Sequence, residues 1–391
     1  MTGMPRYDDL FEHVATFDAE VGVATFAQDV PAAWAVYLMT DADDRPLQLL
    51  CVKNLRASLK RRLDPEVGSA RTADLSAITK HVRYTRVDSA FEQDLRYLEA
   101  ARACFPESYG GVLGFTPAWF VHFNPATKFP RLTKQNQIDK RTGTYVGPIG
   151  DKHAADKYVR SIEELFDLCR DRDRLLSDKS DPCQWREMGK CVGPCEGPPS
   201  GVSLDAYRAL CGEAAALMAD VPRAVAEVDQ RMRQSAAATK FEVAAELKKR
   251  GEQLRSLRQK HYRHTRRVED MRFLAVQPGG NGAAKLFAIR AGEVHFVAAV
   301  FANEPLSEAV LTLATSMLSE PAERPMSTEA FERVSLVSSH LYAAKKLPGT
   351  FLHVDELNHR TLEKAIQAAA GEVDVVDEAD DGEVRGLQSF D

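Results

Sequence analysis

The chain has 391 residues, 44% of them hydrophobic and 28% charged, which is enough for two to four domains that each bury a core. No apolar run approaches the length of a bilayer span, and Met1 to Asp9 lack the basic-then-apolar form of a secretion signal, so a cytoplasmic protein with no membrane role is expected. The net charge of -6 does not advertise nucleic-acid binding, yet it is unevenly spread: acidic residues crowd the end of the chain and basic residues crowd two interior stretches.

Residues 1 to about 30 are weakly patterned and predict a helix and a lead-in. Trp34 to Met39 and Leu47 to Val52 are apolar runs on either side of an Asp-rich turn, a hairpin signal. A basic helix follows, with Leu55, Leu59 and Leu63 as its buried stripe. Its cations Lys53, Arg56, Lys60, Arg61 and Arg62 are candidate contacts to DNA phosphates, or else a solvated face. Phe115 to Phe123 and Gly143 to Pro148 read as aromatic core around a basic loop from Lys128 to Arg141, and a helix is expected over 154–168.

Four of the seven cysteines, Cys169, Cys183, Cys191 and Cys195, fall within 27 residues, in a segment too rich in Asp, Pro and Gly to bury them as ordinary core. Four thiolates suit tetrahedral zinc or an iron–sulfur cluster, and in a reducing compartment metal is the commoner use of clustered cysteines; unliganded or disulfide-linked cysteines are the plainer reading. Gaps of thirteen, seven and three residues lean away from zinc, whose ribbons pair tight knuckles.

After the cysteines, Ser203 is the expected N-cap of a helix to about Ala219, and Pro222 punctuates before a longer helix to about Tyr262. Phe241, Ala244, Leu247, Gly251, Leu254 and Leu257 share one face of that second helix, an internal amphipathic face or a partner surface. The run from Arg255 to Arg267 holds six cations, to bind phosphate or to solvate a helix end. Strands are expected at 271–276, 285–290 and 294–301, helices at 305–319 and 328–345, a strand at 350–354 and a helix at 359–370. His353, Asp355 and Glu356 read as a capped strand-to-helix turn, and the acidic residues beyond 372 as a disordered, solvated tail. No Walker lysine motif or dinucleotide glycine fingerprint is present, which argues against an independent ATPase.

The run Pro182-Cys183-x7-Cys191-x2-Pro194-Cys195, preceded by Leu165-Phe166-x2-Cys169, resembles the cysteine cluster of the UvrC family, the nuclease subunit of bacterial nucleotide excision repair. The resemblance implies a [4Fe–4S] cluster on Cys169, Cys183, Cys191 and Cys195, with zinc as the alternative metal. Lys240 to Lys248 is similar to the family's UVR motif, a helical hairpin that docks on UvrB. It implies a UvrB-like helicase partner contacted through Phe241, Glu242, Ala244, Ala245, Leu247 and Lys248. The family's Arg-Asp pair falls on Lys248-Lys249, which reverses one charge.

The strand, strand, basic helix order, with Lys53-Asn54-Leu55-Arg56, resembles the GIY-YIG nuclease domain that begins UvrC. On that register the first motif tyrosine is Tyr37, the one catalytic position retained. The second tyrosine falls on Gln48, the motif glycine on Leu50, the following lysine on Cys51, the helix arginine on Ser58, the metal-binding glutamate on Tyr97 and the late asparagine on Tyr109. A phosphodiesterase of this kind needs a carboxylate for Mg or Mn, a tyrosine and an arginine, so a degenerate, non-cleaving domain is expected. The alternative is an excinuclease using displaced residues such as Glu92, Glu99 and Arg61; a third reading is a UVR-bearing adaptor without DNA contact.

The expected fold is α/β (α+β) and multidomain. It comprises a degenerate GIY-YIG domain (1–110), a connecting segment (111–168), the four-cysteine cluster (169–200), a UVR-type hairpin (203–265), a small α/β domain (268–372) and an acidic tail (373–391). The family's second nuclease and helix-hairpin-helix pair would follow the region matched here.

Overall fold

The computed structural model describes residues 7–64, 75–111, 113–139, 141–175, 183–258, 260–320, 322–343, 345, 347–371 and 383–388, without the side chains of Arg172, Lys260 and 383–388. Pro182, Lys140 and most of the acidic tail therefore lie outside the described residues.

Three antiparallel sheets organise the chain. The first is built from β1 (His13–Thr16), β2 (Ala35–Thr40), β3 (Pro46–Val52) and β4 (His81–Arg86), with the helices α1 (Val23–Phe26), α2 (Leu55–Leu63) and α3 (Ala90–Cys104). The hairpin turn forms because the Asp41 carboxylate accepts the amides of Asp43 and Arg45, each at 2.9 Å. Strand alternation then divides β2 and β3 between two cores. Val36, Leu38, Leu49 and Cys51 pack with Tyr97 and Ala101 of α3, while Tyr37, Met39, Leu50 and Val52 pack with Leu55 and Leu59 of α2. Asn54 and Ser89 cap α2 and α3 through side-chain oxygens that accept the amides of Ala57 and Glu92, at 3.1 Å each.

Two expectations at the ends of the chain are corrected. Among the described residues, 7–30 hold β1, paired to β4, a 3-10 turn at Tyr7–Asp9 and the one-turn α1, and the β4 edge is satisfied by a strand. At the far end, Glu383–Gln388 is not solvated tail but a strand on the open edge of β3, whose amides and carbonyls it pairs.

The second sheet contains β5 (Trp119–Phe123), β6 (Leu132–Gln135), β7 (Thr144–Ile149) and β8 (Arg266–Arg267), in the order β6-β5-β7-β8. Between β7 and β8 come α4 (Lys152–Leu165), α5 (Arg172–Leu175), α6 (Gln184–Glu187), α7 (Leu204–Ala219), α8 (Val221–Ala237) and α9 (Phe241–Ser256). One core runs from Val121 through Tyr158, Cys169 and Tyr207 to Leu254, so the stretch read as a connector shares its interior with the cysteine loop and the hairpin. The single long helix expected from 222 to 262 breaks at Thr239, which takes a left-handed φ of 58° and reverses the chain. Arg255 then reaches back to Asp229 at 2.5 Å, tying α9 to α8.

The third sheet has the order β11-β10-β9-β12, from β9 (Arg272–Pro278), β10 (Ala283–Arg290), β11 (Glu293–Phe301) and β12 (Thr350–His353). With α10 (Glu308–Ser319), α11 (Thr328–Leu341) and α12 (His359–Ala370) it follows the expected order of elements closely. The β10–β11 turn needs glycine: Gly292 has a φ of 100°, and a Cβ there would meet the Ala330 carbonyl at 2.5 Å. One sheet face packs under α10 and α12, and the other meets α11 and α3. Helix α3 thus stands between the first and third sheets. Lys285 binds Glu92 at 2.7 Å and Asp88 at 2.8 Å, His340 meets Asp94 at 3.0 Å, and Glu332 receives both Arg102 and the Tyr109 hydroxyl. Strand β13 is the Glu383–Gln388 segment on β3. Among the described residues no helix is long and apolar enough to cross a membrane.

Candidate metal centre and nucleic-acid interface

The cysteine loop is folded onto the end of α4. Asp167 takes a positive φ of 47°, Leu168 donates its amide to Glu163 at 2.9 Å, and Val192 returns to donate to the Asp167 carbonyl at 3.0 Å. Two glycines make the crossing possible, since a Cβ on Gly201 would sit 1.9 Å from the Gly193 carbonyl oxygen. Cys183 ends the loop's second arm, its carbonyl receiving the Arg186 amide at 2.8 Å as α6 begins.

This folding draws the four sulfurs into one electrostatic neighbourhood. Cys169, Cys183 and Cys191 are buried, Cys195 is half-buried, and none is in a disulfide. The Cys169 thiol is shared between the Asp171 carbonyl, at 3.3 Å, and the Cys191 sulfur. The Gly193 amide donates to Cys191 Sγ at 3.4 Å. The Cys191 pKa is accordingly lowered to about 6, first by the Cys169 hydrogen bond, then by the Gly193 amide, Arg170 and Arg186, against the opposing effect of burial. The Cys169 pKa is pushed up by the same hydrogen bond and by burial. Cys195 is raised by burial and feels both Cys191 and Cys183.

In donor chemistry the set fits a soft metal centre: four thiols lie in one loop, and at Cys191 an amide aimed at sulfur and nearby guanidinium charge favour thiolate. Among the described residues, no group of three or more His, Cys, Asp or Glu side chains is already arranged to hold a metal ion. Sequence reasoning missed Arg170 and Arg186. Arg170 stacks on Trp185 at 4.5 Å, and Arg186 donates to the Cys191 carbonyl at 3.3 Å and pairs with Glu196 at 3.2 Å. Their signal was adjacency, one directly after Cys169 and one three residues after Cys183.

The positions matched to nuclease motifs are mostly closed to solvent. Tyr37 is fully buried and its hydroxyl lies 2.8 Å from Ser58 Oγ. Gln48 is buried and accepts from Arg62 Nη1 at 3.1 Å. Tyr97 packs on the opposite face of the sheet from Tyr37, in the other core. Glu92, the nearest alternative carboxylate, is buried against Lys285, where burial raises its pKa more than Lys285 lowers it.

Of the basic helix, Lys53, Lys60 and Arg61 are exposed. Arg56 donates to the Val30 carbonyl at 3.0 Å, and Arg62 is committed to Gln48, so the five cations do not form one open row. At the hairpin, Phe241 is 68% exposed at the start of α9, with Glu242, Ala245 and Lys248 exposed beside it and Ala244 and Leu247 partly covered. The shared face expected on this helix is real only at its far end, where Gly251, Leu254 and Leu257 are buried.

The chain thus carries a thiol-rich loop with adjacent arginines, sharing one core with a sheet and a helical hairpin. The UvrC/Cho excinuclease middle-domain family matches residues 118–216, which span β5 to most of α7 and include all four cysteines. The UvrABC system protein C of Vibrio cholerae serotype O1 is 23% identical over 303 residues, 76% of this chain and 48% of its own length. That of Rhodopseudomonas palustris is 26% identical over 306 residues, covering 74% and 42%, and that of Actinobacillus pleuropneumoniae serotype 5b is 24% identical over 280 residues, covering 71% and 45%. The chain is thus a distant relative of UvrC and spans about half the length of the curated relatives it matches. No solved structure matches it.

Proposed function

We propose that the chain is a non-cleaving, UvrC-like DNA-repair protein that binds DNA and a UvrB-like helicase partner. The observation that carries this reading is the middle-domain match over residues 118–216, which contains the cysteine loop and leads into the α8–α9 hairpin. In this reading Cys169, Cys183, Cys191 and Cys195 hold a [4Fe–4S] cluster, with zinc as the alternative; a cluster there would supply a structural staple or a redox-sensitive element. Phe241 and its exposed neighbours are the partner contact, supported by a large aromatic left in solvent at the hairpin turn. The first sheet with α2 and α3 is a retained GIY-YIG scaffold, supported by the strand order, with Tyr37 held by Ser58 and Gln48 by Arg62 in place of catalytic contacts.

The test is association of the purified full chain with UvrB and with DNA across a salt series, beside an assay for Mg- or Mn-dependent nicking. Partner and salt-sensitive DNA binding without nicking is the expected outcome. Binding to UvrB alone would favour an adaptor without DNA contact. Nicking abolished by Glu92→Ala or Glu99→Ala would establish an active nuclease.

A further inference from the structure

The basic run that leaves α9 enters a cleft. Arg258, Arg263, Arg266 and Arg272 line a cavity of about 530 Å3 between the base of the helical hairpin and the third sheet. Their supports are mostly neutral. Arg263 donates to the Leu341 carbonyl at 2.7 Å, and Arg266 donates to the His264 carbonyl at 3.3 Å while its guanidinium lies over Phe273 at 5.2 Å. The Nε of Arg272 is buried and has no hydrogen-bond partner.

Among the described residues none of the four arginines makes an ion pair within 4.0 Å; four carboxylates, Asp220, Asp270, Asp355 and Glu356, line the same cleft and have contacts of their own. Asp220 caps α8 by accepting the Arg223 amide at 3.0 Å, and Asp270 faces Arg267 at 3.9 Å. Asp355 pairs with His353 at 2.9 Å, and Glu356 accepts the His353 amide at 3.4 Å. Burial lowers the Arg266 pKa against the pull of Asp355 and Glu356, a cost that a bound anion would offset. Half-buried His264 is held neutral, its pKa lowered to about 3 by desolvation and then by Arg263 and Arg266, so the positive charge available here is guanidinium.

We propose that Arg258, Arg263, Arg266 and Arg272 form a phosphate-binding cleft that takes the phosphodiester of a nucleic-acid backbone at the base of the hairpin. Planar guanidinium forks match phosphate oxygens in paired hydrogen bonds. Four of them line one cavity without an ion pair of their own, and the buried Nε of Arg272, which has no hydrogen-bond partner, is a donor that an anion would satisfy. The phosphate chemistry stands on the cleft itself; DNA as its source rests on the repair role proposed above.

The experiment uses the full chain with fluorescein-labelled single- and double-stranded oligonucleotides in a salt series, and inorganic pyrophosphate as the small-molecule probe. Arg258→Glu, at an exposed position, and Arg272→Gln are each expected to weaken DNA binding by about tenfold and to lower the salt slope by about one. Pyrophosphate is expected to compete. Pyrophosphate binding that depends on Arg272, in a chain that does not bind DNA, would uphold the phosphate site and remove the DNA reading. Wild-type DNA affinity in both variants, with loss only in a Lys60→Gln, Arg61→Gln chain, would keep DNA binding and overturn this site. An unchanged unfolding midpoint in Arg258→Glu separates a lost contact from a lost fold.

Discussion

The hydroxyl of Tyr37 and Oγ of Ser58 meet at 2.8 Å in the interior between β2 and α2, each satisfying the other where water cannot reach. Tyr37→Phe leaves the serine oxygen unpaired and should cost about 1–2 kcal/mol in urea unfolding. Ser58→Arg, which would restore the residue type of the nuclease motif, forces a guanidinium into a closed core and should cost roughly 3 kcal/mol or more without producing Mg-dependent nicking.

Lys285 joins the third sheet to α3 through Glu92 and Asp88. Its pKa is raised because the two carboxylates outweigh the effect of burial. Lys285→Met strands two partly buried carboxylates and should lower stability by about 3–5 kcal/mol. The Lys285→Met, Glu92→Gln double variant should recover part of that loss, and additive single effects in the cycle would show that the pair is not coupled.

Glu163, on α4 beside the cysteine loop, has its pKa raised by burial from 4.5 to about 7, against the attraction of Arg170, Arg131 and Arg160. A carboxyl that binds its proton more tightly when folded makes the native state lose stability as pH rises between those two values. Glu163→Gln should therefore flatten the stability profile across that window and raise stability at pH ~8. The opposite slope in the wild type would place the carboxyl in a charge-stabilising environment.

Anaerobic purification followed by absorbance, iron, sulfide and zinc analysis addresses the cysteines. About four irons per chain with a broad visible band, both lost in Cys191→Ser, is the expected result for a [4Fe–4S] centre. Stoichiometric zinc would keep the four-cysteine staple and remove its redox role.

Phe241 lies in solvent at the first turn of α9. Phe241→Asp should leave stability within about 0.5 kcal/mol of wild type and weaken capture of UvrB by tenfold or more. Equal loss of fold and of binding would assign this side chain to the interior of the hairpin.

The local elements were legible because each carries its own signal. The Asp41 turn, the Ser203 cap and the His353–Glu356 capped turn all appear where side-chain chemistry put them. What a single sequence does not carry is long-range pairing. The Glu92–Lys285 and Asp94–His340 contacts link residues about two hundred or more positions apart, and no periodicity announces them. The break at Thr239 was hidden because the alanines and charged residues around it are as compatible with a continued helix as with a turn. The cysteines are legible from their clustering, whereas Arg272 lies in a strand run where nothing local aligns it with Arg258 and Arg266.

The pairing of β13 with β3 gives biosynthesis a direction. Strand β3 emerges from the ribosome some 330 residues before its edge partner, a delay of roughly 15–70 s at ordinary translation rates. During that interval the nascent chain displays an open strand edge beside its first core, the arrangement on which neighbouring chains on one message would pair. Final closure of the amino-terminal sheet thus waits for a segment made more than three hundred residues after the edge it covers.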